Sequence, residues 1–334
     1  MSYKILSLSG GGVRGLITAV WLQRLEQKLG TPIAQHFDLI AGTSTGALIA
    51  CALASGIPAI AIVDLYRTRA KDIFPTPRAW WLNRFWRFLR QFFQPRYDGE
   101  GLERVLRDVF GDRSFGELKV PTLITTYDLH RREPLIFKTI EGRAEKHNGM
   151  PIWEICKASA SAPVYFPAHL TRIRGQVVPL IDGGVVANNP AACAIAEAVR
   201  IHHDRDGAAR ADFAEDHVTE DNFRGLKTFV VASFGTGDVA RPISIRESQT
   251  WGAIGWALPL INVLFDGSAD SVDYISRQLL SSSDYFRFQT ELAPVFDDID
   301  RADDAHLNAL IHVAEAYLAR EGDALLDQLV ATLR

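Results

Sequence analysis

The chain has 334 residues, of which 47% are hydrophobic and 23% charged, the balance of a folded globular protein rather than a disordered one. Thirty-six basic against 40 acidic residues leave a net charge of −4, which argues against a strongly basic polyanion binder, so no nucleic-acid partner is expected. Three cysteines (Cys51, Cys156 and Cys193) are too few and too scattered for a disulfide framework or a zinc site, and suit a reducing cytosol.

The N-terminus lacks the apolar stretch of a signal peptide and runs directly into glycines. No apolar run reaches the ~18 residues of a spanning helix. The nearest, 251–265, is shorter and carries Pro259. The expectation is a cytoplasmic protein whose membrane contact is transient and peripheral.

Residues 4–9 read as a buried strand, followed by Gly10-Gly-Gly-Val-Arg-Gly15 and a helix to about Lys28. A second strand over 37–41 turns through Gly42-Thr-Ser-Thr-Gly46 into an apolar helix ending near Ala54. Strands are expected over 121–127 and 134–139, and a helix over 151–160 that Pro163 ends. A strand over 177–181 closes with Asp182-Gly-Gly, and Asn189-Pro190 opens another helix, proline being tolerated where no N–H is needed. The stretch 204–224 reads as a solvated loop, 226–233 as a buried strand, and 303–320 and 323–333 as two terminal helices. This alternation predicts an α/β fold with a largely parallel sheet and helices on both faces.

Three segments carry chemistry. Gly10, Gly12 and Gly15 satisfy the spacing of a dinucleotide loop, yet the second strand lacks the terminal acid that would hold a ribose, and no Lys-Ser/Thr follows for a P-loop. Bare amides at a helix N-terminus suit a phosphate or a developing oxyanion equally. Gly42-Thr-Ser44-Thr-Gly46, between a strand and a helix, fits a nucleophile elbow, in which the glycines at ±2 clear room around an exposed serine. None of the nine histidines stands in a triad-like context; His169 alone lies near a proline-framed segment. Asp182 ends a strand where open α/β sheets place ligand groups, with Gly183 and Gly184 making room for another backbone and Asn188 and Asn189 tying down the loop. A carboxylate there can take the serine proton directly. A capped turn at Ser44 and a helix-capping Asp182 are the alternatives.

Taken in order, Gly10 to Gly15, Gly42 to Gly46 and Asp182-Gly-Gly resemble the motifs of the patatin-like phospholipases. Ala158-Ser-Ala-Ser-Ala-Pro-Val-Tyr-Phe166 and Asn188-Asn-Pro resemble that family's intervening and following segments. The likeness runs from about Leu6 to Pro190, more weakly around 251–274. It implies a three-layer α/β/α sandwich forming one domain over 1–334, with a motif-bearing core at about 4–238 and an extension over 239–334. It implies lipid acyl hydrolysis without metal or cofactor: Ser44 as nucleophile, Asp182 as base, Gly10, Gly11 and Gly12 as oxyanion hole, and Arg14 as the basic residue beside that loop. The substrate class would be a membrane phospholipid or another acyl lipid. Some bacterial members are nucleotide-activated effectors of defence, so a small-molecule activator is a second expectation; a phosphate-binding module with a structural Ser44 is a third.

Residues 79–94 read AWWLNRFWRFLRQFFQ. Trp81, Phe85, Phe88 and Phe92 share one helical stripe, with Leu82, Trp86, Leu89 and Phe93 beside it and Arg87 and Arg90 opposite. Such a helix can lie in a lipid interface, or pack as a lid or part of the core.

Overall fold

A computed structural model describes residues 2–75, 94–139, 149–205, 229–239, 242–256 and 259–334. The aromatic segment 79–94, apart from Gln94, lies outside the described residues, as does most of the expected loop 204–224.

The sheet strands are β1 (Tyr3–Leu8), β2 (Leu39–Thr43), β3 (Thr122–Asp128), β4 (Glu133–Lys138), β5 (His169–Ile173), β6 (Gln176–Asp182), β7 (Phe229–Phe234) and, after the two-residue β8 (Asp238–Val239), β9 (Tyr285–Phe288). Their order is β5-β6-β3-β2-β1-β7-β9, with β4 on the other edge of β3. The run β3-β2-β1-β7-β9 is parallel throughout, while β4, β6 and β5 join antiparallel. The strand expected over 37–41 sits two residues later. Asp38 is spent on Lys4, its side chain accepting the Lys4 N–H at 2.8 Å, so the buried ladder begins at Leu39.

Successive residues of the central strands feed two cores, as the two-residue period requires. Leu6 and Leu8 of β1, Ile40 of β2 and Phe234 of β7 face one core; Tyr3, Ile5, Leu39 and Val231 face the other. The first core is covered by α1 (Gly15–Leu29), α2 (Thr45–Ala54), α3 (Ala59–Ile73), α4 (Glu100–Phe110) and α5 (Ile152–Ser159). The second is covered by α6 (Ala191–Arg205) and α7 (Pro259–Leu279). The result is the expected α/β/α layering. Helix α8 (Asp304–Tyr317) runs through a π turn into α9 (Asp323–Leu333), and both pack on α1.

On β3, one edge is occupied by β4 from Leu123 to Asp128. Strands β2 and β6 must therefore share the opposite edge. β2 pairs parallel with Thr122 to Thr125 and ends at Thr43; β6 arrives antiparallel along Asp128 to Thr126 and ends at Asp182. The C-terminal ends of β2 and β6 thus meet nose to nose on adjacent residues of one strand. Ser44 and Asp182, 138 positions apart in the chain, are brought together by this register.

Trp21 of α1 is fully buried, packs at 4.7 Å and a 44° tilt against Tyr317 and donates its indole N–H to the Ala314 carbonyl at 3.1 Å, locking the C-terminal helices to the core. Trp21→Ala is expected to cost about 3–5 kcal/mol in urea unfolding, whereas Ile60→Ala, at a half-exposed position, should stay within about 0.5 kcal/mol.

Candidate active site

β2 hands the chain to α2 through Ser44, which adopts φ 55° and ψ −121°, a conformation costly for a residue with a Cβ. The strain is held by the packing around it. A Cβ on Gly42 would lie 2.4 Å from the Gly46 carbonyl, and one on Gly46 only 2.1 Å from that of Leu8. The two glycines therefore let α2 start tight against β1 and β2. The Ser44 N–H donates to Ser159 Oγ at 2.9 Å, and that hydroxyl donates to the Thr125 carbonyl at 2.8 Å, so the turn is pinned to β3. Thr43 Oγ1 reaches both Thr125 Oγ1 and the Ala187 carbonyl at 2.7 Å.

Asp182 is completely buried at the end of β6. Its Oδ1 accepts the Gly184 N–H at 2.7 Å; its Oδ2 is buried without a hydrogen bond. Burial pushes the carboxyl up to about 7, against the opposing pull of the Ser44 hydroxyl and the Gly184 amide. Gly183 crosses directly over β3: a Cβ there would meet the Thr125 carbonyl at 2.4 Å. Gly184 has a different role from that expected, since its contacts are side chains (Asp182, Phe265 and Asn188) rather than a second backbone.

The glycine loop departs from expectation at one residue. Gly10 donates its N–H to the Asn188 carbonyl at 3.0 Å and is not free to act as an oxyanion donor. The amides of Gly11 and Gly12 donate to nothing among the described residues. Gly12 takes φ 59°, and a Cβ on it would sit 2.2 Å from the Ile299 carbonyl; one on Gly11 would strike Thr236 Oγ1 at 2.1 Å. The loop is thus clamped from outside, with Val13 N–H on the Ile299 carbonyl at 2.8 Å and Thr236 Oγ1 on the Gly10 carbonyl at 2.9 Å. Arg14 closes the turn, its Nε buried without a hydrogen bond. Burial lowers its pKa, while Asp266, Asp297 and Asp238 nearby oppose that loss of charge.

Gly12, Ser44 and Asp182 open on one cleft. Its walls are apolar: Leu48, Ile49 and Ala52 follow Ser44 along α2, Ile62, Leu65, Ala70 and Ile73 line it from α3, and Leu102, Val105, Leu106, Val109 and Phe110 from α4. Ala52 stands eight residues beyond Ser44, about 12 Å along a helix. The Tyr66 hydroxyl on this wall is taken up by Thr45 Oγ1, and burial raises its pKa far above the ordinary phenol value. No histidine lines the cleft among the described residues. His169 instead packs 3.6 Å from Glu154, and His306 sits in the first turn of α8 against Phe296.

Residue-type reasoning did not single out Ser159, Thr125, Thr236 or Ile299, which hold the two loops in place. Ser159 carried a signal, standing in the 158–166 segment; the others lie in stretches with no motif.

A serine at a strained strand-to-helix turn and a buried carboxylate open on one apolar cleft of an α/β fold, which Gly12, its amide without a partner among the described residues, also lines. Residues 6–195 match the sequence model described as patatin-like phospholipase. The chain is 31% identical over 356 residues to patatin-like protein 2 of Arabidopsis thaliana, covering 98% of this chain and 83% of that protein. It is 30% identical over 306 residues to a cGAMP-activated phospholipase of Pseudomonas aeruginosa, covering 88% and 80% respectively. Among solved structures it resembles VipD from Legionella pneumophila at a TM-score of 0.41 and 12% identity, over 95% of this chain and 67% of that one. The chain belongs to the patatin-like phospholipase family, a family of lipid-hydrolysing enzymes.

The Asp182 carboxyl has a consequence for stability. The folded chain holds its proton up to about pH 7, whereas the unfolded chain releases it near about pH 4, so the folded state carries the extra proton between those values. Stability contributed by the protonated form is present below that window and lost as pH rises through it. Asp182→Asn, which keeps the Gly184 hydrogen bond without the buried charge, is expected to raise the unfolding free energy from urea titration at pH 8 by an amount on the order of a few kcal/mol, and the midpoint with it. Near pH 4 the two proteins should unfold almost together, and equal midpoints at both pH values would show that the carboxylate is not destabilised by burial.

Proposed function

We propose that the protein is a phospholipase A-type acyl hydrolase that cleaves ester-linked fatty acids from membrane glycerolipids through a Ser44–Asp182 dyad and an acyl-enzyme. The reading is carried by one observation: a strained serine and a buried, pKa-raised carboxylate with an unused oxygen face one apolar cleft that no histidine enters among the described residues.

The Ser44 hydroxyl attacks the ester carbonyl while Asp182 takes its proton, a transfer suited to a base poised near neutrality. The Gly11 and Gly12 amides, which donate to nothing among the described residues, are the donors for the negative charge that develops on the carbonyl oxygen. Losing one such donor would cost roughly 3 kcal/mol of barrier. Arg14 adds a fixed positive charge behind the same loop. Asp182 returns the proton to the leaving alcohol, then deprotonates the water that releases the fatty acid. The cleft between α2, α3 and α4 receives the acyl chain, since burying an alkyl chain on those side chains is worth about 0.8 kcal/mol per methylene.

Ser44→Ala and Asp182→Asn are each expected to abolish turnover of a fluorogenic ester, and the double variant to lose no more, because the two act as one unit. A fluorophosphonate should label the wild type and not Ser44→Ala. Because the base works ionised, kcat/KM should climb with pH through about 7 and level off above it. A pH-independent rate across that range, or a folded His169→Ala protein without activity, would remove the dyad.

Ala52→Leu fills the cleft two helical turns from Ser44. It should raise the ratio of butyrate to palmitate ester hydrolysis by at least tenfold, and an unchanged ratio would place the acyl chain elsewhere.

A second reading, activation by a cyclic dinucleotide, is favoured by the likeness to the cGAMP-activated phospholipase. Liposome hydrolysis with and without cGAMP decides it: stimulation supports a ligand-gated enzyme, equal rates a constitutive one.

A further inference from the structure

Helix α7 is stitched to the loop that carries Asp182. Ser268 Oγ accepts the Asn188 N–H and donates to the Gly184 carbonyl, both at 3.1 Å, while Phe265 lines the cleft beside Asp182. The solvent-facing side of the same helix carries Asp266, Asp270, Ser271, Arg277 and Gln278, but its N-terminal end is apolar. Leu260, Val263 and Leu264, at 45%, 44% and 40% exposure, form a patch at i, i+3 and i+4; beyond the exposed Asp266, Gly267, Asp270 and Ser271, Tyr274, Ile275 and Leu279 are again exposed. Charge is absent from the approach to this patch: residues 248–265 contain no Asp, Glu, Lys or Arg. Trp251 and Trp256 stand just before α7, packed edge to face at 5.3 Å, a residue type favoured at lipid headgroup depth. No helix among the described residues is long and apolar enough to cross a membrane.

We propose that the exposed face of α7, with Trp251 and Trp256, is the surface by which the protein docks on a zwitterionic lipid bilayer, placing the cleft mouth at the headgroups. The proposal rests on the acyl-hydrolase reading above and adds where the enzyme meets its substrate. The lipid surface is the occupant for two reasons. The helix that exposes these side chains also places Phe265 on the cleft beside Asp182, so seating its apolar end in the headgroup layer delivers a phospholipid to Ser44 without crossing water. Its charged residues, Asp266, Asp270, Asp273 and Arg277, sum to −2, which repels anionic lipid and leaves apolar burial as the attraction.

The test compares the wild type with the double variant Leu260→Ser/Leu264→Ser on phosphatidylcholine vesicles. Both positions are exposed, so the urea midpoint should hold. The expected result is an at least tenfold loss of vesicle binding by co-sedimentation and a matching loss of fatty-acid release from vesicles, with hydrolysis of a soluble short-chain ester unchanged. Adding phosphatidylserine should not strengthen wild-type binding, and a tenfold rise in salt should not weaken it, since apolar burial is not screened. Binding that survives the double substitution, or that requires phosphatidylserine and disappears with salt, overturns the proposal. So does a change of oligomeric state in the variant, which would make this face a contact between copies of the chain. A wild type that binds vesicles yet hydrolyses no soluble ester would instead remove the acyl-hydrolase reading.

Discussion

The structure depends on two strands that run toward each other along a single edge of β3. Strand β2 comes from one direction and stops at Thr43; β6 comes from the other and stops at Asp182, on adjacent partners of β3. A parallel and an antiparallel neighbour on the same edge cannot both continue, so each chain must leave the sheet there. β2 leaves through the strained turn at Ser44, and β6 through Asp182 and Gly183 pressed on the Thr125 backbone. The candidate site is the place where the sheet changes from parallel to antiparallel, a switch point of the kind at which open α/β sheets bind ligands.

That arrangement carries an energetic tension. A carboxylate with one oxygen unsatisfied and a serine at positive φ both oppose folding, and neither would persist alone. They persist because the surroundings over-determine them. Ser159 ties the Ser44 amide to β3, Asn188 takes up the Gly10 amide, and Ile299 and Thr236 brace the glycine loop from the C-terminal part of the chain. Apolar helices packed on both faces supply the stabilisation that offsets the strained centre.

Much of the core was legible because its signals are local. Helix α2 ends at Ala54 as the apolar run indicates, and β3, β4 and the helices opening after Gly15 and Pro190 lie within a residue or two of expectation. Helix α4 also carries a plain signal, Leu102, Val105, Leu106 and Phe110 at helical spacing between Gly99 and Gly111, but no chemistry-bearing motif draws the eye there. Strands β5 and β9 are short, and β9 is specified only by its pairing with β7. Helix α7 begins at Pro259 inside a run that reads simply as apolar; that part of it faces solvent is decided by what α7 packs against.

The sequence by itself determined the layered α/β class, the serine turn, the glycine loop and the aspartate, because each is set by residue types at fixed short spacing. It could not determine that Gly10 gives its amide to Asn188, that Asp182 is stripped of water and so titrates near neutrality, or that α2, α3 and α4 close around an apolar cleft. Those properties arise from partners that lie well beyond any local window of the sequence. Burial, charge and hydrogen-bond competition are sums over the neighbours that packing supplies, and only the tertiary structure says which neighbours those are.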